Sequence, residues 1–262
     1  MTSDHFLFRH RYIGPIEITF FVPCYNEENN ILFTIQTLER ATKHFRDLRY
    51  EILIFDDASQ DQTSESVLKY IQDHPTLPIS LIRNQKNQGL GHNYFRGAKL
   101  ALGNYYMLVN GDNDIHEDFI VKILSHRGKA DLIIPYIVNQ KDRSWTRQVI
   151  SHLFTCCVSF LSGNRLRYYN GQVLHLRETI LMSNVKTNSL SYQAELICEA
   201  IRRGHSYLEV SSVAQLGPNQ KNNAFILKNF YLVGQALMRI FLYRLKSMME
   251  RILSPRCKIS KT

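Results

Sequence analysis

Two carboxylates stand two residues apart in segment 110–114, which reads NGDND. This segment follows the apolar run 105–109, whose composition predicts a buried strand. Open α/β sheets bind ligands at the edge where their strands end. Carboxylates that lie close together at such an edge can hold a divalent cation together with the oxygens of a diphosphate. A polar turn after a strand has the same composition, so the segments around Asp112 and Asp114 decide between the two interpretations.

Two earlier apolar runs also end in polar loops. The sequence predicts a strand over 16–22 and a second strand over 50–55, which runs directly into Asp56 and Asp57. The loop after the first strand contains Pro23, Cys24, Tyr25, Asn26, Glu27 and Glu28. Parallel strands carry their carboxyl ends to one edge of a sheet, so three polar strand ends in one half of the chain indicate a nucleotide site.

Helical periodicity alternates with these strands. The predicted helices are 29–45, 63–73, 92–102 and 145–161, and the further predicted strands are 79–83 and 130–137. Asn26 has a side chain suited to cap the first helix, and Glu27 and Glu28 suit its positive end. The apolar helix 145–161 is expected in the core or at an interface. The alternation predicts an α/β fold in which helices cover a mostly parallel sheet.

The composition bounds the domain organisation. With 262 residues, of which 44% are hydrophobic, the chain can bury one substantial core. We expect an N-terminal extension over 1–15, one domain over 16–222 and a basic helical tail over 223–262. The five cysteines form no disulfide or metal spacing, and we find no signal peptide or run as long as a transmembrane helix. These features predict a reduced, cytoplasmic setting.

The formal net charge of +9 predicts an anionic partner. Much of that charge lies in the tail, where large apolar residues recur at helical spacing. This combination favours an interfacial helix on an anionic membrane surface, and a helix packed on the domain stays open as the alternative. Nucleic acid is not expected as a partner, because the basic residues are concentrated in an apolar tail and not in a polar patch.

Four segments together resemble family 2 glycosyltransferases with the GT-A fold. They read FVPCYNEENNI, ILIFDDASQDQT, NQGLGHNYFRGAKLALGNYYMLVNGDND and SYQAELICEAIRRGHSYLEV. The branch that they resemble contains the polyprenyl-phosphate (dolichyl-phosphate) sugar synthases, and the resemblance covers about residues 16–215. It implies a Rossmann-like GT-A sheet and an inverting transfer of a sugar from a UDP- or GDP-linked donor.

The resemblance also assigns parts of a donor site. The residues implied to hold the nucleotide are Pro23, Tyr25, Asn26, Glu27, Asp56, Asp57, Gly89 and Gly91. Among them, Asp56 and Asp57 match the pair that hydrogen-bonds the base, and a carboxylate suits a ring N–H donor. Asp112 matches the metal-binding motif, which implies Mg²⁺ or Mn²⁺. Its partner is Asp114 in the literal DxD register, or Asn110 if the motif is counted back from Phe119.

The acceptor half departs from the family pattern. The basic residue that the family uses to contact an acceptor phosphate aligns with Val173, in a matching strand over 169–177. Lys221 matches the family's later acceptor-loop lysine, while the arginine of that loop is absent. Glu195 lies at a position that the family often keeps acidic, and an acid there can orient the acceptor or act as a base if the acceptor is a hydroxyl. A pair with Arg202 or Arg203 on the same helix is the structural alternative for Glu195.

The sequence therefore predicts a metal-dependent glycosyltransferase at a membrane surface, with polyprenyl phosphate as a possible acceptor. A GT-A-like nucleotidyltransferase is the enzymatic alternative, although the first strand is not followed by a glycine-rich motif with basic residues. A catalytically inactive module that binds sugar nucleotides or membranes is the non-enzymatic alternative. Intact Asp57 and Asp112 favour the enzyme.

Overall fold

The computed structural model of the chain describes residues 6–138, 145–185, 191–213 and 227–253. The strands are β1 (Phe6–Phe8), β2 (Ile18–Cys24), β3 (Tyr50–Asp56), β4 (Ile79–Arg83), β5 (Tyr105–Leu108), β6 (Leu132–Ile137), β7 (Leu174–Leu176) and β8 (Tyr207–Ser212). The helices are α1 (Ile31–Lys43), α2 (Thr63–Asp73), α3 (Leu90–Leu100), α4 (Glu117–Leu124), α5 (Trp145–Ser162), α6 (Arg177–Leu181), α7 (Tyr192–Arg202) and α8 (Leu227–Leu253). The predicted α/β fold is confirmed.

The eight strands form one mixed sheet in the order β1-β4-β3-β2-β5-β7-β6-β8. Neighbours from β4 to β5 are parallel, as are β6 and β8. β7 runs antiparallel to both β5 and β6, and β1 runs antiparallel to β4. β1 therefore places part of the expected N-terminal extension on the edge of the sheet.

Strand β2 is buried on both faces, which explains its nearly continuous apolar sequence. Phe20 lies in the core cluster that includes Ile35 of α1 and Ile120 of α4. Phe21 points to the opposite face, where its ring packs against those of Tyr94 and Tyr106 at centroid distances of 5.8 and 5.6 Å. Helices thus cover both sides of the parallel part of the sheet, as the sequence predicts.

A third core cluster joins α8 to the rest of the domain. Ala236 and Ile240 of α8 are buried, and Ile240 packs in this cluster with Val158 of α5 and Ile197 of α7. Leu237 is partly buried against the same cluster. The packed alternative for the tail is therefore correct for this face of α8. Within the described parts of the chain, each helix is too short or too polar to cross a membrane.

Candidate active site

The three polar strand ends meet at one edge of the sheet, as predicted. Cys24 at the end of β2 is paired with Asp56 at the end of β3. On the other side of β2, the N–H of Gly111 donates to the carbonyl of Pro23 at 3.1 Å. A Cβ added at Gly111 would lie 2.9 Å from the Cβ of Cys24, so this close approach requires glycine. The edge therefore carries the loops after β2, β3 and β5 side by side.

Reciprocal hydrogen bonds join the loop after β2 to the loop after β3. The N–H of Asn26 donates to Ser59 Oγ at 3.0 Å, and Asn26 Oδ1 accepts from the N–H of Gln60 at 2.8 Å. The N–H of Glu27 donates to Thr63 Oγ1 at 2.9 Å. Asn26 has a left-handed backbone (φ 57°), and α1 begins only at Ile31, so its predicted role as a helix cap is wrong. Asn26 instead fixes the shape of the two loops.

Asp56 is fully buried and holds the turn that follows β3. Its Oδ1 accepts from the N–H of Ser59 at 2.7 Å, and its Oδ2 accepts from the Ser64 hydroxyl. The Arg83 guanidinium lies 3.6 Å from Oδ2. Both carboxylate oxygens are therefore used inside the protein. The base contact expected for Asp56 from the sequence stays a prediction.

Asp57 connects the end of β3 to the glycine loop before α3. Its Oδ1 accepts from Asn84 Nδ2 at 2.7 Å and from the N–H of Gln88 at 2.8 Å. Its Oδ2 accepts from the N–H of Gly89 at 2.9 Å. Gly89 has a φ of 84°, which favours glycine at this position. Asp57 therefore places the glycine loop, with Gly91 in the first turn of α3, beside the loops after β2 and β3.

Asn84 and Asn93 extend this network, and sequence reasoning did not identify either. Asn84 Nδ2 also donates to Asn93 Oδ1 at 2.8 Å. Asn93 is 1% exposed, and its Nδ2 has no hydrogen-bond partner in the structure. The sequence gives no signal for Asn93, because polar and apolar residues are mixed along α3. Its contact with Asn84 depends on where the end of β4 lies beside α3.

Asp112 and Asp114 lie in the loop after β5 and differ in environment. Asp112 is exposed, whereas Asp114 Oδ1 is buried and lacks a hydrogen-bond partner. Asn110 Nδ2 donates weakly to Asp114 Oδ2 at 3.4 Å. Burial, and then the charge of Asp112, raise the pKa of Asp114 to about 7. An uncompensated carboxylate oxygen beside a second carboxylate suits a divalent cation, which favours the register Asp112 with Asp114.

A cation at this loop would need ligands beyond these two side chains. Among the described residues, no three histidine, cysteine, aspartate or glutamate side chains converge on a point that could hold a metal. Oxygens of a bound diphosphate would complete the coordination of a hard cation such as Mg²⁺. The chain's own residues thus fit a cation that arrives with a diphosphate.

Glu195 is buried under α8. Its side chain is 1% exposed and accepts two hydrogen bonds from Arg239, at 2.7 and 2.8 Å. The sequence alternative named Arg202 or Arg203 as its partner, and this is wrong, since Arg203 pairs with Glu199 at 2.6 Å. The ion pair gives Glu195 a structural function, and its predicted catalytic role stays a prediction.

The predicted acceptor residues have separate outcomes. Val173 is 1% exposed within the third core cluster, so this position offers no charge to an acceptor. Lys221 lies outside the described residues.

His175 on β7 is fully buried, and burial lowers its pKa to about 3. Its Nε2 accepts from Gln193 Nε2 at 2.7 Å, which requires the neutral ring with its proton on Nδ1.

A mostly parallel sheet with acidic loops along one edge is the architecture of the GT-A glycosyltransferases. The mannosyltransferase PcManGT from Pyrobaculum calidifontis, solved with GDP-Man and Mn²⁺, superposes with a TM-score of 0.63 at 14% identity, over 96% of this chain and 74% of that one. Glucosyl-3-phosphoglycerate synthase from Mycobacterium tuberculosis, solved with Mn²⁺ and UDP, gives 0.60 at 15% identity, over 87% and 80%. At these identities the likeness shows the fold.

The family profile named Glycosyl transferase family 2 matches residues 19–189, which is more than half of the chain. The chain belongs to this family. It is 33% identical over 104 residues to a dolichyl-phosphate β-glucosyltransferase of Dictyostelium discoideum, over 38% of this chain and 32% of that one. It is 27% identical over 141 residues to a dolichol-phosphate mannosyltransferase of Pyrococcus furiosus, over 52% and 38%. The matches thus span about a third of the length of these relatives.

Proposed function

We propose that the chain transfers a sugar from a nucleoside-diphosphate donor to a polyprenyl phosphate at a membrane surface. The observation that carries this proposal is the pair Asp112 and Asp114, with a buried carboxylate oxygen that lacks a partner at the carboxyl edge of the sheet. Membership of the family and its similarity to dolichyl-phosphate sugar transferases support the class of donor and acceptor.

The donor lies across the three joined loops. The base is held at the first two loops, with Tyr25 as an exposed ring beside them and Asp57 at the boundary with the glycine loop. The N–H groups in the first turn of α3, which follows Gly89, suit a ribose or phosphate. Asp112 and Asp114 would hold Mg²⁺ or Mn²⁺, which would neutralise charge on the departing nucleoside diphosphate.

The transfer breaks the bond between the anomeric carbon and the diphosphate oxygen, and the electron pair leaves with the nucleoside diphosphate. A new bond forms between the same carbon and an oxygen of the acceptor. A phosphate acceptor at neutral pH already offers an ionised oxygen and therefore needs no general base. This chemistry agrees with the burial of Glu195 in its pair with Arg239. The protein's main task is to position the two substrates.

The outward faces of α5 and α8 support a membrane surface as the place of reaction. On α5, Trp145, Leu153 and Phe160 are 76, 57 and 79% exposed. On α8, the outward residues Tyr231, Met238, Leu242, Leu245 and Met249 are exposed. Apart from Arg239, which pairs with Glu195, the sequences of the two helices contain one acidic residue, Glu250, and the five basic residues Arg147, Lys228, Arg244, Lys246 and Arg251. An exposed apolar surface on helices whose sequences carry excess positive charge suits an anionic bilayer.

Two residues of α8, Leu237 and Arg239, contact the domain and do not belong to this surface. Phe241 is 37% exposed. The side chain of Phe230 lies outside the described residues. We infer a peripheral protein on the cytoplasmic membrane face, held by both helices.

A transfer assay separates the proposed function from its alternatives. The protein is incubated with labelled UDP-glucose or GDP-mannose, Mn²⁺ and vesicles that contain polyprenyl phosphate. We expect label in the organic phase together with an equal amount of nucleoside diphosphate. Release of pyrophosphate from a nucleoside triphosphate and a sugar phosphate would instead identify a nucleotidyltransferase. Binding of UDP or GDP without turnover of any donor would identify an inactive module.

A further inference from the structure

We propose that Thr37 of α1 is a positioning residue for the metal loop and acts on it through Asn113. The inference rests on the proposed function, because it concerns the loop of Asp112 and Asp114. The Thr37 hydroxyl donates to Asn113 Oδ1 at 3.2 Å. Asn113 stands between the two acids, so this bond ties the centre of the motif to a rigid helix. A side chain on α1 thereby sets where both carboxylates lie.

The backbone of Asn113 explains why a tie is needed there. Its φ of 54° lies in the left-handed region, which residues with a Cβ rarely adopt and asparagine tolerates better than most. This conformation reverses the chain between Asp112 and Asp114. The side-chain bond to Thr37 stabilises the conformation from outside the loop.

Two further contacts from α1 hold the ends of the same loop. Before the acids, the Thr34 hydroxyl donates to the carbonyl of Asn110 at 3.3 Å. After the acids, Arg40 Nε donates to Glu117 Oε2 at 3.0 Å, at the start of α4. Arg40 Nη2 also donates to Thr37 Oγ1 at 3.0 Å, which orients the hydroxyl so that its proton is directed to Asn113. One face of α1 therefore contacts the loop at its start, centre and end.

Space beside the loop makes these hydrogen bonds decisive for its position. A cavity of about 400 Å³ lies between α1 and the start of α4, and Thr37, Arg40 and Asn113 line it. Close packing would hold a loop by contact alone, whereas a cavity leaves it room to shift. Loss of the Thr37 hydroxyl therefore lets the loop move and misplaces the carboxylates, without removing either of them.

The test compares Thr37→Val with Thr42→Val, measuring binding of Mn²⁺ in the presence of UDP or GDP. Both variants lose the hydroxyl of a buried threonine on α1, but Thr42 bonds the carbonyl of Glu39, within its own helix. Partners outside the ligand shell typically contribute 10–100-fold to metal affinity, so we expect Thr37→Val to weaken Mn²⁺ binding by about tenfold or more. Thr42→Val should bind Mn²⁺ like the wild type.

Two more variants separate positioning from folding. Thr37→Ser keeps the hydroxyl and should restore wild-type Mn²⁺ affinity. Asn113→Gly keeps the left-handed backbone accessible while removing Oδ1, and should weaken Mn²⁺ binding as Thr37→Val does, even if the latter fails to fold. Wild-type affinity in both Thr37→Val and Asn113→Gly would overturn the inference and leave the proposed function intact. Absence of Mn²⁺ binding to the wild type would overturn both.

Discussion

Glu195 and Arg239 join the first turn of α7 to the middle of α8 through two hydrogen bonds. The carboxylate is 1% exposed and the guanidinium side chain 31% exposed, so the pair is protected from solvent on one side. The two residues lie 44 positions apart in sequence, so the pair could not be predicted from local spacing. The pair therefore holds α8, which has an exposed apolar face, against α7, which contains Glu195.

Glu195→Gln should lower the free energy of unfolding by about 2 kcal/mol. Breaking a fully buried ion pair costs about 3–5 kcal/mol, and the partial exposure of Arg239 reduces this effect. Urea denaturation measures it, with Glu178→Gln as a control at an exposed glutamate of α6. A variant that keeps wild-type stability but loses transfer at least about 100-fold would instead support the catalytic role predicted from the sequence.

Asp112→Ala and Asp114→Asn should each reduce Mn²⁺-dependent transfer by at least about 100-fold while the fold remains intact, because each removes a charge that faces the cation. Asp118→Asn is the matched control, since Asp118 is exposed in the first turn of α4. Initial rates at saturating Mn²⁺ and the thermal unfolding temperature are measured together. Full activity of Asp112→Ala would contradict the metal assignment.

Asp57→Asn should weaken nucleotide binding by about 1.5–3 kcal/mol, the usual range for a hydrogen bond to a charged group. It should also loosen the glycine loop, because Asp57 accepts from the N–H groups of Gln88 and Gly89. Asp56→Asn should lower stability and leave nucleotide affinity nearly unchanged, since Asp56 is sealed from solvent. Calorimetric titration with UDP and GDP distinguishes the two. Equal losses of affinity would show that the base contact involves both acids.

Acidification should destabilise the protein through His175. Its pKa is lowered to about 3 in the folded protein and is about 6.5 in an unfolded chain. Between these pH values the unfolded chain binds a proton that the folded protein does not, so stability falls as pH falls. From pH 7 to pH 5 this loss is about 2 kcal/mol.

The variant His175→Gln, which keeps an acceptor for Gln193, should lack this loss in urea denaturation at the two pH values. His74→Gln, at an exposed histidine directly after α2, should retain it. The same pH dependence in His175→Gln and the wild type would show that His175 does not remain neutral.

Binding to anionic vesicles should depend on the outward face of α8. Met238→Gln combined with Leu242→Gln should release most of the protein from vesicles, because both side chains are more than half exposed. The control is Phe33→Gln, at an exposed aromatic residue of α1. Salt should weaken wild-type binding without abolishing it, since each basic residue near the surface contributes about 1 kcal/mol and apolar burial is not screened. If the double variant floats with vesicles as the wild type does, the proposed membrane-binding surface on α8 is wrong.

Deletion of the tail is a poorer test of membrane binding than these substitutions. The structure buries Ala236 and Ile240 of α8 against the domain. Truncation would expose their partners Val158 and Ile197 to water, so we expect loss of stability as well as loss of vesicle binding.

The sequence predicts elements best where local signals agree. The bounds of α2 (Thr63–Asp73) and β4 (Ile79–Arg83) match the prediction, because periodicity and flanking polar residues coincide there. β1 and β7 have only three residues each, and their direction depends on neighbours far away in sequence. Short strands carry too little periodicity to be placed from the sequence alone.

In the candidate site, too, the sequence predicts which residues are present better than it predicts their contacts. The meeting of the acidic loops was predictable, because it follows from strand order and polarity. The internal bonds of Asp56 and Asp57 were not, since their donors come from other loops. The sequence also could not show which face of α8 packs on the domain, because apolar residues occur on both faces of this helix.

The position of β7 has a consequence for the order in which the protein is made. This three-residue strand is the junction between the group β1-β4-β3-β2-β5 and the pair β6-β8. All five strands of the first group, with the three acidic loops and α1 to α4, lie within residues 6–124. Ribosomes extend a chain by roughly 5–20 residues per second, which leaves seconds for this part to assemble before β7 emerges. We therefore expect the edge with the three acidic loops to form on the nascent chain first, before β7 joins the remainder to the sheet.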